Sequence, residues 1–303
     1  MGSSVAVRPL VASDLDAVVA VDREGTGRSR REFYARRLRD AEQDPRAALG
    51  TAAELGGRLA GFAFAHVLDG EFGGTAPVGV IDAIGVGRDA RRRGVGTALV
   101  AGLEAALAAR GVRELRSQVE WGERGLGPFF ATCGFRLAPR LVLERRLDRP
   151  PPDGLSREEQ LVRSMTERDL PAVVRCDRKI TGRDRSAYYA RKAAEALRQS
   201  AVRVSLVAEV QGQLAGFLMA RVDFGEFGRT EPTAVLDTIG VDPGQARQGL
   251  GRALVEQLLL NLGTLRAEQL VTEVAWDDLG LLAFVERSGF IPAQRLALDK
   301  PLG

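Results

Sequence analysis

Two adjoining stretches decide the fold: Val80-Ile-Asp-Ala-Ile-Gly-Val86 and Arg91-Arg-Arg-Gly-Val-Gly-Thr97. The first has the apolar pattern of a buried β-strand, and the second leads into an apolar run that predicts a helix. Both recur 155 positions later, as Val235-Leu-Asp-Thr-Ile-Gly-Val241 and Ala246-Arg-Gln-Gly-Leu-Gly-Arg252. Glycines allow tight turns, and a helix N-terminus attracts anions, so each loop predicts a phosphate or pyrophosphate site.

The repeat extends without a gap from Arg8 to beyond Phe135. A period of 155 residues matches a whole domain rather than a solenoid unit. We therefore predict a duplicated and fused domain, with one half at 1–148, a proline-rich linker at 149–156 and the second half at 157–303. Three consecutive prolines, 150–152, favour an extended spacer there.

The composition is that of an ordinary globular protein: 303 residues, 45% hydrophobic and 27% charged, with a net charge of +3. This small charge gives no reason to expect a nucleic-acid partner. No apolar run approaches the roughly 18 residues that span a membrane. Cys133 and Cys176 are not equivalent in the repeat and indicate no disulfide framework, so we expect a cytoplasmic location.

Strand and helix patterns alternate within each half and predict an α+β fold with a mixed central sheet flanked by helices. In the first half we expect a helix ending near Val21, a second helix, a hairpin, the strand at 78–86, the helix at 97–110 and a strand at 114–120. Capping boxes are predicted at Ser13–Asp16 and Thr166–Asp169. A last strand pair is expected to close each half on itself, ending near Leu147 and Leu298.

Other glycine-rich loops fit the sequence poorly. A Rossmann fingerprint would need glycine at position 99, which is Leu99, and a Walker loop would need Gly-Lys-Ser/Thr. The remaining pattern, Arg/Gln-x-x-Gly-x-Gly, resembles the pyrophosphate loop of the GNAT superfamily of N-acetyltransferases. The alternative is that Gly94 and Gly249 only make a tight turn between strand and helix.

The order of elements carries the resemblance further. After the loop and helix, a strand ends at Trp121 or Trp276, and a short helix closes in Gly134-Phe135 or Gly289-Phe290, like the Gly-Phe ending of the GNAT family. The similarity covers residues 5–147 and 161–298. It implies two tandem GNAT-like domains in one chain, which use acetyl-CoA.

The resemblance also implies the acetyl-CoA contacts. Main-chain N–H groups of the glycine loops would bind the pyrophosphate, and the ends of the 80–86 and 235–241 strands would hold pantetheine. Ala246 replaces Arg91 in the second loop, so one charge contact is lost there. The implied contact residues are Ile84, Val86, Arg91, Arg93, Gly94, Val95, Gly96, Thr97, Ile239, Val241, Gln248, Gly249, Leu250, Gly251 and Arg252.

Two pairs of acids are candidates for the base that deprotonates an acceptor amine. Asp82 and Asp237 stand where many GNAT members carry a strand carboxylate, and burial would raise the basicity of such a group. The alternative is that they hydrogen-bond neighbouring backbone. Glu71 and Glu226 lie in Gly-Glu-Phe-Gly turns and are the second base candidates, or else solvated turn acids.

The sequence departs from the family at the proton donor. The tyrosine that usually protonates the leaving CoA thiolate is replaced by Phe130 and Val285. Tyr34 and Tyr189 are retained candidates for this role, or else line the core. A thiol pKa of about 8.5 would also let the thiolate leave unaided.

A charged cluster is repeated in both halves, whereas the histidine is not. Asp22 and Arg30 recur with their neighbours as Asp177 and Arg185, and they predict either a carboxylate-reading site or a surface ion-pair network. The single histidine, His66, aligns with an arginine in the second half, so we interpret it as structural.

The sequence therefore predicts an acetyl-CoA-dependent N-acetyltransferase acting on the amine of a small molecule or peptide. The alternative is an acyl-CoA-binding protein in which one or both halves lack turnover. No metal is expected. We expect either a monomer whose halves pack as a pseudo-two-fold pair or a homodimer.

Overall fold

The described residues form two seven-stranded mixed sheets, each flanked by helices, which confirms the predicted α+β class. The computed structural model describes residues 4–68, 76–147, 161–198, 204–224, 226–228 and 232–303. The predicted linker at 149–156 and Glu71 lie outside these residues. None of the described helices is both long enough and apolar enough to cross a membrane.

In the first half the described elements follow the order that the sequence predicts. They are β1 (Ala6–Pro9), α1 (Leu15–Thr26), α2 (Arg31–Gln43), β2 (Ala48–Leu55), β3 (Arg58–Leu68), β4 (Val78–Val86), α3 (Val95–Ala108), β5 (Glu114–Glu120), α4 (Leu126–Thr132), β6 (Arg136–Leu137) and β7 (Arg140–Arg146).

The second half repeats this order. Its described elements are β8 (Leu161–Ser164), α5 (Leu170–Thr181), α6 (Ser186–Arg198), β9 (Leu206–Val210), β10 (Gln213–Phe224), β11 (Pro232–Val241), α7 (Leu250–Thr264), β12 (Gln269–Ala275), α8 (Leu279–Arg287), β13 (Ile291–Pro292) and β14 (Arg295–Pro301).

The final long strands are exchanged between the halves. β14 pairs with β5 in the first sheet, and β7 pairs with β12 in the second, each antiparallel over seven residues. The strand orders are β1-β2-β3-β4-β5-β14-β6 and β13-β7-β12-β11-β10-β9-β8. The expectation that each half closes on its own last strand is therefore wrong.

The physical reason is that β7 and β14 are equivalent strands with similar apolar faces. Leu143 of β7 is buried in the core of the second half, and Leu298 of β14 is buried in the core of the first half. Gln118 of β5 donates to Glu273 of β12, its equivalent in the repeat, at 2.5 Å. Equivalent residues meet in this way near a two-fold axis.

We expect the exchange to hold the halves together after the chain is cut. A protease site inserted at 149–156 should give two fragments that co-elute in size-exclusion chromatography, because each fragment supplies a central strand to the other sheet. Fragments that elute separately as folded monomers would contradict the exchange.

Both predicted first helices end later than expected, and one capping box is displaced. α1 continues to Thr26, where Gly27 adopts φ +71° and closes the helix. The box at Thr166–Asp169 is confirmed, with Thr166 N–H donating to Asp169 at 2.7 Å. In the first half Asp14 instead accepts from Val11 N–H at 2.9 Å, so the Ser13–Asp16 box is wrong.

Candidate active site

The first element of the site is a gap between two parallel strands. The parallel pairing between β4 and β5 joins Gly79 to Leu115 and Val80 to Arg116. Beyond it, Ser117 Oγ donates to the carbonyl of Ile81 at 3.0 Å. The pairing does not extend to Ile84–Val86 at the end of β4, all of which are half-buried. β11 and β12 pair over three residues and also stop before 239–241.

The second element is the glycine loop at the end of this gap. Gly94 adopts φ +77° and Gly249 φ +82°, conformations that favour glycine, and each directly precedes the first residue of α3 or α7. Ala98 N–H donates to the carbonyl of Gly94 at 3.0 Å. The amides of residues 95–97 therefore precede the helical ladder and remain at the positive end of the helix dipole.

The second glycine of each loop has a different role from the first. A Cβ atom on Gly96 would lie 2.8 Å from Cε2 of Phe129, and one on Gly251 would lie 3.1 Å from Cε2 of Phe284. These glycines therefore let α4 and α8 pack closely on the helix that follows the loop. The loop pattern alone does not separate these two roles.

The arginines of the first loop lie at the surface. Arg91, Arg92 and Arg93 are exposed, and Arg91 Nε donates to the carbonyl of Val86 at 3.4 Å. This contact holds the Arg91 side chain against the end of β4. In the second half, Ala246 offers no such side chain.

The third element is a buried carboxylate on a β-bulge. Where β3 pairs with β4, Phe64 lies opposite Ala83, but the next residue, Ala65, lies opposite Ile81. Asp82 is therefore the extra residue of a β-bulge. Asp237 is the extra residue of the equivalent bulge between β10 and β11. Asp82 and Asp237 are 1% and 4% exposed. Bulges commonly redirect a side chain beside an active site.

Asp82 is held by one arginine and by the histidine. Arg37 Nη2 lies 2.8 Å from Asp82 Oδ2, and His66 Nδ1 lies 2.9 Å from the same oxygen. Among the described residues, Asp82 Oδ1 is buried without a hydrogen-bond partner. An unpaired buried carboxylate oxygen is costly, which makes it a natural acceptor for a donor on a ligand or a water.

Asp237 has a different environment. Arg221, which stands in the place of His66, forms a close ion pair with Asp237 Oδ1. Lys192, which stands in the place of Arg37, lies 4.0 Å from Oδ2. Arg37 and Lys192 were not among the predicted site residues, although the recurrence of a cation 155 positions apart could have indicated them.

Glu226 crosses from the second half into the site of the first. It lies in a short 3-10 turn at 226–228 that contacts β4 and β5, and its Oε1 is 2.6 Å from Arg37 Nη2. Arg295 of the exchanged β14 donates to the carbonyl of Phe227 at 3.3 Å. Glu226 is 4% exposed, so it is not a solvated turn acid.

The charges around Glu226 set its ionisation. Burial alone would raise its pKa, but Arg221, Arg37 and His66 outweigh burial and lower the pKa from 4.5 to about 2. Arg221 Nη2 lies 3.3 Å from Glu226 Oε2. Glu226 thus links the Asp82 cluster to the Asp237 cluster through two guanidinium groups.

His66, Asp82 and Glu226 place potential metal-ligand atoms within 4.8 Å of one another. Arg37 Nη2, however, lies within 2.8 Å of both carboxylates and supplies the positive charge between them. This arrangement favours an ion-pair cluster over a metal site.

A family model for the acetyltransferase (GNAT) family matches residues 17–135 and 172–290. The chain belongs to the GNAT acetyltransferase family. The two matches cover both halves and include both glycine loops. A comparison with curated proteins found no match.

Solved structures show the same tandem architecture. The chain is similar to a tandem GNAT protein from the clavulanic acid biosynthesis pathway, with 20% identity, a TM-score of 0.69 and 99% of each chain covered. It is also similar to a GCN5-related N-acetyltransferase from Sphaerobacter thermophilus, with 19% identity, a TM-score of 0.63 and coverage of 98% and 96%. A glucosamine N-acetyltransferase region of a fungal multi-domain β-N-acetylglucosaminidase has 16% identity and a TM-score of 0.69, covering 99% of this chain and 38% of that one. At these identities the likeness concerns the fold.

The two retained tyrosines of this GNAT chain lie in the core. Tyr34 and Tyr189 are 0% exposed, and burial is the main cause that raises the pKa of each hydroxyl. Arg30 Nη2 donates to Tyr34 Oη at 2.6 Å, and Tyr189 donates to Asp177 at 2.9 Å. Such hydroxyls are poorly placed to protonate a thiolate.

The Asp22–Arg30 cluster is neither a surface network nor an open carboxylate site. Arg30 Nη2 lies 2.5 Å from Asp22 Oδ1 and Arg185 Nη1 lies 2.6 Å from Asp177 Oδ1, all with side chains less than 10% exposed. Each pair joins the first helix of its half to the residue before the second helix, beside the buried tyrosine.

The positions of the usual GNAT tyrosine are apolar and closed. Phe130 and Val285 are 1% and 2% exposed, and Phe130 packs edge-on against Phe135 with ring centroids 4.9 Å apart. No proton donor arises from either side chain.

Proposed function

We propose that the protein is an acetyl-CoA-dependent N-acetyltransferase that transfers the acetyl group directly to an amine of a small molecule or peptide. Membership of the GNAT family supports this, and the observation that carries it is the glycine loop before α3 beside the open end of β4. The main-chain N–H groups of residues 95–97, which precede the first intrahelical hydrogen bond, fit a pyrophosphate.

In this proposal the chain's main-chain groups do most of the binding. Amides from Arg93 to Thr97 hold the pyrophosphate, and the half-buried main chain of Ile84–Val86 pairs with pantetheine. Gln248–Arg252 and Ile239–Val241 supply the equivalent groups in the second half. Ala246 cannot make the charge contact with acetyl-CoA that Arg91 would make in the first half. Its loss should weaken acetyl-CoA binding to the second half by about 1 kcal/mol or less, because that contact is exposed.

We expect Gly94→Ala to weaken acetyl-CoA binding to the first half by about tenfold. An L-residue at φ +77° is strained by about 1–2 kcal/mol, so the loop would shift. Gly249→Ala should do the same to the second half. Calorimetry on the full chain should therefore resolve two sites and show each variant weakening one of them.

Gly111→Ala is the matched control, because Gly111 also has positive φ and open space but lies at the far end of α3. It should leave both affinities unchanged. Unaltered binding in Gly94→Ala would contradict the assigned loop.

A second function is favoured for the second half alone, namely acyl-CoA binding without turnover. Asp237 forms a close ion pair with Arg221 and lies 4.0 Å from Lys192, so two cationic side chains hold the carboxylate that would otherwise face an amine. We also propose that the protein is cytoplasmic and that it is a monomer whose halves share strands.

Release of CoA thiol tests the proposed function. Full-length protein, acetyl-CoA and a panel of small amines and peptides should give amine-dependent thiol release. Tight acetyl-CoA binding without release for any amine would favour the binding function for both halves.

A further inference from the structure

The single histidine of the chain forms a pair with the bulge carboxylate. His66 lies on β3, and its Nδ1 is 2.9 Å from Asp82 Oδ2 on β4. The carboxylate is fully buried, while the histidine side chain keeps 15% of its surface exposed. An ionised carboxylate is an acceptor only, so it selects the tautomer with the proton on Nδ1.

This tautomer leaves the lone pair of Nε2 available. In the described part of the chain, Asp82 is the hydrogen-bond partner of the imidazole, through Nδ1, and Nε2 makes no hydrogen bond. The charged groups that face the ring are Asp82 from β4, Glu226 from the turn at 226–228 and Arg37 from α2. Arg221 adds a positive charge one contact further away, beyond Glu226.

We propose that His66 Nε2 is the general base of the first half and that Asp82 is its positioning residue. This inference rests on the proposed acetyl transfer. The amine enters as R–NH3⁺ and gives one proton to Nε2, and the resulting R–NH2 attacks the thioester carbonyl carbon. The C–S bond then breaks, and the nitrogen's surplus proton passes to the departing thiolate, giving the amide, CoA thiol and protonated His66.

The second half cannot use this base. Arg221 replaces His66, and an arginine stays protonated at neutral pH. The duplication therefore kept both carboxylates but only one imidazole, and we infer that turnover belongs to the first half.

NMR of the single imidazole tests the pair without any acceptor. Nitrogen-15 shifts of full-length protein labelled at histidine should report the Nδ1–H tautomer, and Asp82→Asn should shift the tautomer balance. A predominant Nε2–H tautomer would overturn the proposal, because Nε2 would then have no lone pair.

His66→Asn tests the catalytic role. The asparagine amide can keep the hydrogen bond to Asp82 but has no proton acceptor in place of Nε2. We expect kcat to fall by about 10²–10⁴-fold and the acid limb of the kcat/KM profile to vanish. Acetyl-CoA affinity and the midpoint of thermal unfolding should remain near wild type.

Turnover within threefold of wild type, with the acid limb kept, would overturn the role of His66. Wild-type protein that releases no thiol with any amine would instead count against the proposed function, while the tautomer measurement would still decide whether the dyad exists.

Discussion

Replacing Asp82 with asparagine in the full-length protein is expected to lower kcat by about 10²–10⁴-fold. The amide carries no charge to stabilise protonated His66, and it can also donate to Nδ1, which would favour the unproductive tautomer. Acetyl-CoA affinity should barely change, because the pyrophosphate contacts are main-chain. Steady-state kinetics with thiol release as the readout, together with calorimetry, would separate the two effects.

The equivalent replacement, Asp237→Asn, is the matched comparison. It removes a carboxylate that is also on a bulge and buried, but that faces Arg221 instead of a histidine. We expect turnover to remain at the wild-type level. Equal losses from the two replacements would show that both halves turn over. Near-normal turnover in Asp82→Asn would show that the carboxylate is not needed to orient His66.

Replacing Glu226 with glutamine is expected to lower the free energy of unfolding by about 3–5 kcal/mol. Glu226 is buried and is the anion that Arg37 and Arg221 share across the two halves. The amide would leave two nearly buried guanidinium groups short of negative charge. Urea unfolding of the full chain would measure the loss.

Glu54→Gln provides the control, because Glu54 pairs with Arg8 at a half-exposed position. Its loss should cost about 1 kcal/mol or less. Equal stabilities of the two variants would contradict the importance of the contact between the halves.

The same contact gives the sign of a pH effect. The pKa of Glu226 is lowered from 4.5 to about 2, so the folded protein binds this proton less readily than the unfolded chain. The ionised Glu226 carboxylate therefore contributes its full share to the free energy of unfolding above about pH 4.5, and this contribution is lost as the pH falls towards 2. Glu226→Gln should remove this part of the acid-induced loss of stability.

Local pattern was enough to predict most of the elements. β4 and β5 begin and end as the sequence predicts, because their apolar runs are bounded by turns. The glycine loop was likewise predictable, since the positive φ before each helix favours a glycine at 94 and 249. Helix ends were less certain, because the αL residue Gly27 closes α1 beyond the apolar pattern.

Long-range pairing could not be predicted from the sequence. β7 and β14 are equivalent strands, so the apolar pattern fits either sheet equally well, and the exchange depends on the geometry between the halves. Contacts between the halves are likewise absent from the sequence pattern, so the position of Glu226 beside Arg37 could not be predicted. The bulge at Asp82 depends on register between strands, which single-strand patterns do not contain.

Mass spectrometry of the acceptor tests the central claim most directly. Full-length wild-type, Asp82→Asn and Asp237→Asn proteins would be incubated with acetyl-CoA and the amine panel, and N-acetylated product would be quantified. The account predicts an acetylated amine with wild-type and Asp237→Asn protein and a strong loss with Asp82→Asn. Acetyl-CoA binding without any acetylated amine would contradict it.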